Sequence, residues 1–183
     1  ASRLTMLATE LAPTEGQKGL ADSKLNFVSF TPGTSFNMGN SAGKSGERQV
    51  LFHLLDGVVE PRVALMNFLQ GQVGDRTRWR HRLKEKPLPL EKGIAKRFRQ
   101  RLKASGRLRA ELHQSVALHF SRYRESYPRE VRQIRRRLIG ELRQLLAEVC
   151  VQALEPDLVI VDEFQRFKAL LDPAQAESDP AAE

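Results

Sequence analysis

The sequence predicts an α/β chain in which a parallel sheet is interrupted by a large, basic, helical section. Three observations predict it. Leu158-Val159-Ile160-Val161 is a continuous aliphatic run, three of its residues β-branched, the pattern of a strand covered on both faces. Leu25-Asn26-Phe27-Val28-Ser29-Phe30 is short, aromatic and alternating, and it stops at Thr31-Pro32-Gly33, as a strand closed by a turn does. Between these segments apolar residues recur at steps of three and four, which is the helical period.

The 183 residues, 40% apolar and 28% charged, suit one domain or one domain with an insertion, and exclude a chain disordered throughout. The formal charge of +8 hides a division. Residues 76–143 carry 22 basic and 6 acidic side chains, a net of +16, whereas the remainder carries 8 and 16, a net of −8. Such asymmetry favours a polyanionic partner for the middle, because each phosphate contact releases condensed counterions. A single cysteine, Cys150, excludes a disulfide framework, and the histidines at 53, 81, 113 and 119 show no metal-ligand spacing. No apolar run approaches the ~20 residues that cross a bilayer and no signal-peptide pattern opens the chain, so a cytoplasmic protein with no membrane partner is expected.

In order along the chain, Ser2 to Leu11 reads as the end of a helix, so that the opening Ala1 is expected of a fragment. A Pro/Gly/polar connection follows, then the Leu25–Phe30 strand, whose end delivers the hydroxyl-rich turn Thr31, Gly33, Thr34 and Ser35. Asn37 to Gly46 is a polar, glycine-rich loop. From Glu47 the period turns helical, with Val50, Leu51, Leu54 and Leu55 on one face; Gly57 breaks it and Pro61 starts a second helix, Arg62 to Leu69. Ile94, Phe98 and Leu102 mark one later helix, and Leu108, Leu112, Val116 and Phe120 another. Pro128 suits the first position of the longest element, whose stripe runs Val131, Ile134, Leu138, Leu142, Leu145 and Val149. Arg132, Arg135, Arg136, Arg137 and Arg143 leave its other faces cationic, one side for packing and one for phosphates. Arg166 to Leu171 reads as a helix, and Asp172 to Glu183 as an acidic loop or tail.

Asp162-Glu163-Phe164-Gln165 stands at the carboxyl end of the aliphatic strand, where open α/β sheets bind ligands. There Asp162 can hold Mg²⁺ through water, Glu163 can polarise a water at a γ-phosphate, and Gln165 offers a neutral amide two residues on. Gly43-Lys44-Ser45 tempts as a phosphate-binding loop, yet Gly-x4-Gly-Lys-Ser/Thr requires glycine at 38, and the residue is Met38. Lys44 therefore reads as an exposed loop residue. Arg76, Arg78 and Arg80, in an alternating run, and Arg132, Arg135 and Arg136 are the candidates for nucleic-acid backbone contact. Trp79 among them, and Tyr123 and Tyr127 beside Arg122 and Arg124, offer either a stacking surface or a packing anchor.

The segment Val159-Ile160-Val161-Asp162-Glu163-Phe164-Gln165-Arg166-Phe167-Lys168 resembles motif II of superfamily 2 helicases and their Swi2/Snf2-like translocase relatives, in its Asp-Glu-x-Gln form. Ser29-Phe30-Thr31-Pro32-Gly33-Thr34-Ser35-Phe36 resembles the box after motif Ia in a bacterial branch of those proteins. Gly43-Lys44-Ser45-Gly46-Glu47-Arg48 is similar to that branch's Gly-Thr-x-Glu-Arg segment. The resemblance implies a partial RecA-like sheet: residues 1–75 would belong to the lobe and the first helices of an insertion, 76–147 would be the arginine-rich insertion, 148–171 would return to the lobe, and 172–183 would be a tail. It also implies ATP and Mg²⁺ as cofactors of the parent, with Asp162 and Glu163 at the nucleotide, Thr31, Gly33, Thr34 and Ser35 on a tracked strand, DNA in preference to RNA, and a bacterial cytosol. No complete phosphate-binding loop or second lobe is present in these residues. The expectation is thus an ATP-dependent helicase or translocase whose fragment alone is inactive and whose partner is the missing remainder of the motor. The alternatives are a non-enzymatic helical module that binds nucleic acid and a small phosphotransferase using Lys44.

Overall fold

The structure, a computed structural model, describes residues 4, 5, 8, 42–71, 75–85, 90 and 92–154. Six helices account for most of them: α1 (Ser45–Leu55), α2 (Arg62–Gln70), α3 (Arg76–Glu85), α4 (Lys92–Ala104), α5 (Gly106–Phe120) and α6 (Arg129–Leu154). Helix makes up 80% of the described residues and no strand occurs among them, which overturns the α/β, RecA-like class expected from the sequence. The expectation rested on segments 25–30 and 158–161, which lie outside the described residues, whereas the helical period between them extends through one packed helical body.

Local chemistry sets the helix ends. Gly43 takes φ +62° ahead of α1, and the Lys44 backbone N–H donates to Glu47 Oε2 at 3.1 Å, satisfying one of the four donors a helix start leaves open. The Asp56 N–H donates to the Phe52 carbonyl at 2.8 Å, and Gly57 at φ +75° turns the chain out of α1. Pro61 precedes α2 and its carbonyl accepts from Ala64 at 2.8 Å, a fitting use of a residue with no N–H. Asp75 starts α3, its Oδ1 accepting from the Arg78 N–H at 2.9 Å. Pro128 opens α6, which at 26 residues is about 39 Å long.

The apolar stripes meet in one cluster. Leu108, Leu112, Val116 and Phe120 of α5 are buried, and α5 packs against α2, α4 and α6; α1 packs against α2, α4 and α6, and α3 against α2. Ile94, Phe98 and Leu102 bury the apolar face of α4. The α6 seam runs through Val131, Leu138, Ile139, Leu142, Leu146, Val149 and Cys150, with Ile134 and Leu145 only partly covered. Residues on both sides of positions 75 and 147 share this cluster, and α6 continues through 147 without a break. Among the described residues no helix is long and apolar enough to cross a membrane.

Candidate nucleic-acid interface

The cationic middle is sorted by its partners. Arg107 and Arg137 are neutralised across the α5–α6 contact: Arg107 reaches Glu141 at 2.6 Å and Glu111 at 3.3 Å, while Arg137 reaches Glu141 at 2.7 Å and also pairs with Glu111. Donation of a hydrogen bond to the Glu111 carboxylate raises the Arg137 pKa. Glu111 and Glu141 are therefore committed to this cluster, and Arg78, Arg122, Arg124, Arg129, Arg132 and Arg136 stay exposed with no ion pair among the described residues.

Not all of α6's arginines are peripheral. Arg135 is 7% exposed and Arg143 8%, a correction to the reading that placed both on solvent faces. The reason is register: Arg135 stands four residues after Val131 and three before Leu138, and Arg143 stands four after Ile139 and three before Leu146, so both occupy the seam. Arg143 Nε donates to Glu47 Oε2 at 2.7 Å in a buried pair. Arg48, beside them, lies 5.9 Å from the centroid of the fully buried Trp79 ring, so this tryptophan is a packing anchor.

A cleft of about 230 Å³ opens beside these buried charges, lined by the end of α2, the start of α3, the connection before α6 and its first turns. Arg76, Arg124, Arg132 and Arg135 enter its lining with Asn67, Gln70, Tyr123 and Tyr127. Asn67 holds the wall together: its Nδ2 donates to the Phe120 carbonyl at 2.9 Å, and its Oδ1 accepts from Arg80 at 3.2 Å. The Arg76 guanidinium sits 4.1 Å from the Tyr123 ring centroid and that of Arg80 5.9 Å, which fixes α3 against the connection through cation–π contacts. Arg135 lies 5.6 Å from the Tyr127 ring, and burial lowers its pKa, with Arg136 and Arg132 adding repulsion. Burial lowers Arg48's pKa as well, and Arg135 adds to it.

Of the arginines singled out from sequence, Arg76, Arg132 and Arg135 converge on this cleft, Arg80 braces its wall, and Arg78 and Arg136 lie exposed outside its lining. Asn67 and Gln70 were not singled out, although two amides on the buried side of an otherwise apolar α2 are a signal of a polar wall. Gly43-Lys44-Ser45 offers no phosphate seat at the α1 terminus, because the Glu47 carboxylate already takes the Lys44 N–H there. Thr31, Gly33, Thr34, Ser35, Asp162, Glu163 and Gln165 lie outside the described residues. Among the described residues no three His, Cys, Asp or Glu side chains group as a metal site. Comparison with protein-family models, with curated proteins and with solved structures finds no match to this chain.

Proposed function

We propose that this helical body is a nucleic-acid-binding module that grips the phosphate backbone. The observation that carries this reading is the meeting of Arg76 of α3 with Arg124, Arg132 and Arg135, which follow much later in the chain, on one cleft. Arg78, Arg122, Arg129 and Arg136 are exposed on the same elements and remain without carboxylate partners among the described residues. Exposed guanidiniums without carboxylate partners suit backbone contact, which positions a strand without reading its bases. The test is the binding of labelled oligonucleotides at graded salt, with Arg76→Ala and Arg132→Ala expected to weaken all sequences alike. Binding that is indifferent to salt and to both substitutions would sink the reading.

A second reading is favoured by the motif II resemblance of residues 159–168, which supports an ATP-dependent motor on DNA as the activity of a longer protein. In it Asp162 would hold magnesium, and Glu163 and Gln165 would act near the nucleotide. Its test is DNA-stimulated ATP hydrolysis by a longer chain, lost in Asp162→Ala. Hydrolysis that survives Asp162→Ala removes this reading and leaves the first in place.

A further inference from the structure

We infer that the cleft bounded by α2, α3, residues 121–128 and α6 is a receptor for a phosphate monoester. Its lining holds four arginines, Arg76, Arg124, Arg132 and Arg135, against the single exposed carboxylate of Glu125. Three polar side chains of the lining are more than nine-tenths buried and have unsatisfied atoms: Arg135 Nε, Gln70 Oε1 and the Tyr127 hydroxyl have no hydrogen-bond partner among the described residues. Buried polar groups are nearly always paired, and these three atoms, covered in the free protein and carried by residues of one cleft lining, are groups that a bound partner would satisfy once the side chains turn toward it.

Charge states what kind of partner. Arg48, Arg135 and Arg143 are buried against one buried carboxylate, Glu47, which is already engaged by Arg143 and the Lys44 N–H. A guanidinium taken from water without a counter-charge is costly; burial lowers the Arg135 pKa, Tyr127 opposes this, and Arg136 and Arg132 add to it, with no carboxylate among these neighbours. An anion in the cleft compensates this excess. A phosphate monoester fits better than a backbone diester: it carries nearly two charges at neutral pH and three terminal oxygens for the guanidinium forks. A cavity of about 230 Å³ also holds more than the phosphate itself, since a water's share of liquid volume is about 30 Å³, leaving space for an attached sugar. Gln70 Oε1 is an acceptor for a sugar hydroxyl, and the Tyr127 hydroxyl a donor to a phosphate oxygen, with small rotations of each side chain.

Two sources carry this group, the phosphorylated end of a nucleic-acid strand and a free mononucleotide. Naming the strand end as source rests on the function proposed above; the receptor itself does not. Single strands of one sequence, bearing a 5′-phosphate, a 3′-phosphate or none, are titrated against the whole chain by fluorescence anisotropy. In parallel, thermal unfolding is followed with inorganic phosphate or adenosine monophosphate. A phosphorylated end should bind roughly tenfold tighter than a hydroxyl end, the scale of one or two charge-assisted hydrogen bonds. Arg132→Ala and Arg76→Ala, both at exposed positions that leave the core intact, should abolish that preference, whereas Arg97→Ala on α4 should retain it. If all strands bind alike, the receptor is refuted and backbone binding survives. If no strand binds but phosphate and the mononucleotide raise the melting temperature of the wild type and not of Arg132→Ala, the receptor stands and the nucleic-acid reading falls. If nothing binds, both fall.

Discussion

Arg143 Nε donates to Glu47 Oε2 across 2.7 Å, joining the first turn of α1 to the middle of α6 over 96 positions of sequence, with both side chains buried. The same carboxylate oxygen accepts the Lys44 N–H at 3.1 Å, so one group caps α1 and anchors α6. Gly43 makes room for the arrangement, since a Cβ there would collide with both the Glu47 carboxylate and the Arg143 guanidinium.

Removing one member of this pair strands the other. Arg143→Met should lower unfolding free energy by about 3 kcal/mol, the usual cost of a buried charge left alone. The double variant Glu47→Gln, Arg143→Met should recover at least about 1 kcal/mol of that, because the two sites are coupled. Urea titrations of the four proteins measure both numbers.

Two glycines with positive φ should respond differently to alanine. At Gly57, φ +75°, a Cβ meets nothing within 4 Å, so Gly57→Ala should cost only the backbone strain of about 1–2 kcal/mol. Gly43→Ala adds the collision with the ion pair and should cost about 3 kcal/mol or more. Equal losses in the two variants, read from chemical denaturation midpoints, would show that the Glu47–Arg143 contact does not constrain Gly43.

Salt dependence separates the arginines by role. If Arg132 neutralises one phosphate, Arg132→Ala should reduce the slope of log K against log[salt] by about one. Arg137 is held by Glu111 and Glu141, so Arg137→Ala should leave that slope unchanged. Oligonucleotide titrations between low and physiological salt read both slopes.

Acidification should weaken the fold through two histidines. Burial pushes the pKa of His53 below the ordinary 6.5, with Arg62 adding to it against the opposing Asp56, and burial and Arg109 do the same for His113. Each is therefore harder to protonate folded than unfolded. The stability they permit is complete above about 6.5 and is lost as pH falls through their lowered folded values. Urea midpoints at pH 7.5 and 5.5 should fall in the wild type, and His53→Leu should flatten the difference.

Much of the helical body is written in local pattern. Val50, Leu51, Leu54 and Leu55, then Ile94, Phe98 and Leu102, then Leu108, Leu112, Val116 and Phe120 each repeat at the helical period, and each set is buried on one helix. Pro61 and Pro128 mark starts, and Gly57 marks a stop, because their backbones allow little else or everything else. The α/β expectation rested on four aliphatic residues and an aromatic hexapeptide, both outside the described residues, in preference to this longer signal. A short apolar run does not by itself distinguish strand from buried helix.

The site was less legible. Arg76, Arg132 and Arg135 are visible as cations, yet composition cannot tell an exposed arginine from one in the seam, and Arg135 and Arg143 needed the register of α6 to be placed. By itself the sequence determined the helices other than α3 and their apolar faces, because these follow from residues three and four apart, and it determined the excess of positive charge by composition. Only the tertiary structure decided which charges are spent and which remain. Ion pairing and cleft formation join side chains from α1, α2, α3, α5 and α6 whose separation along the chain carries no information about their separation in space.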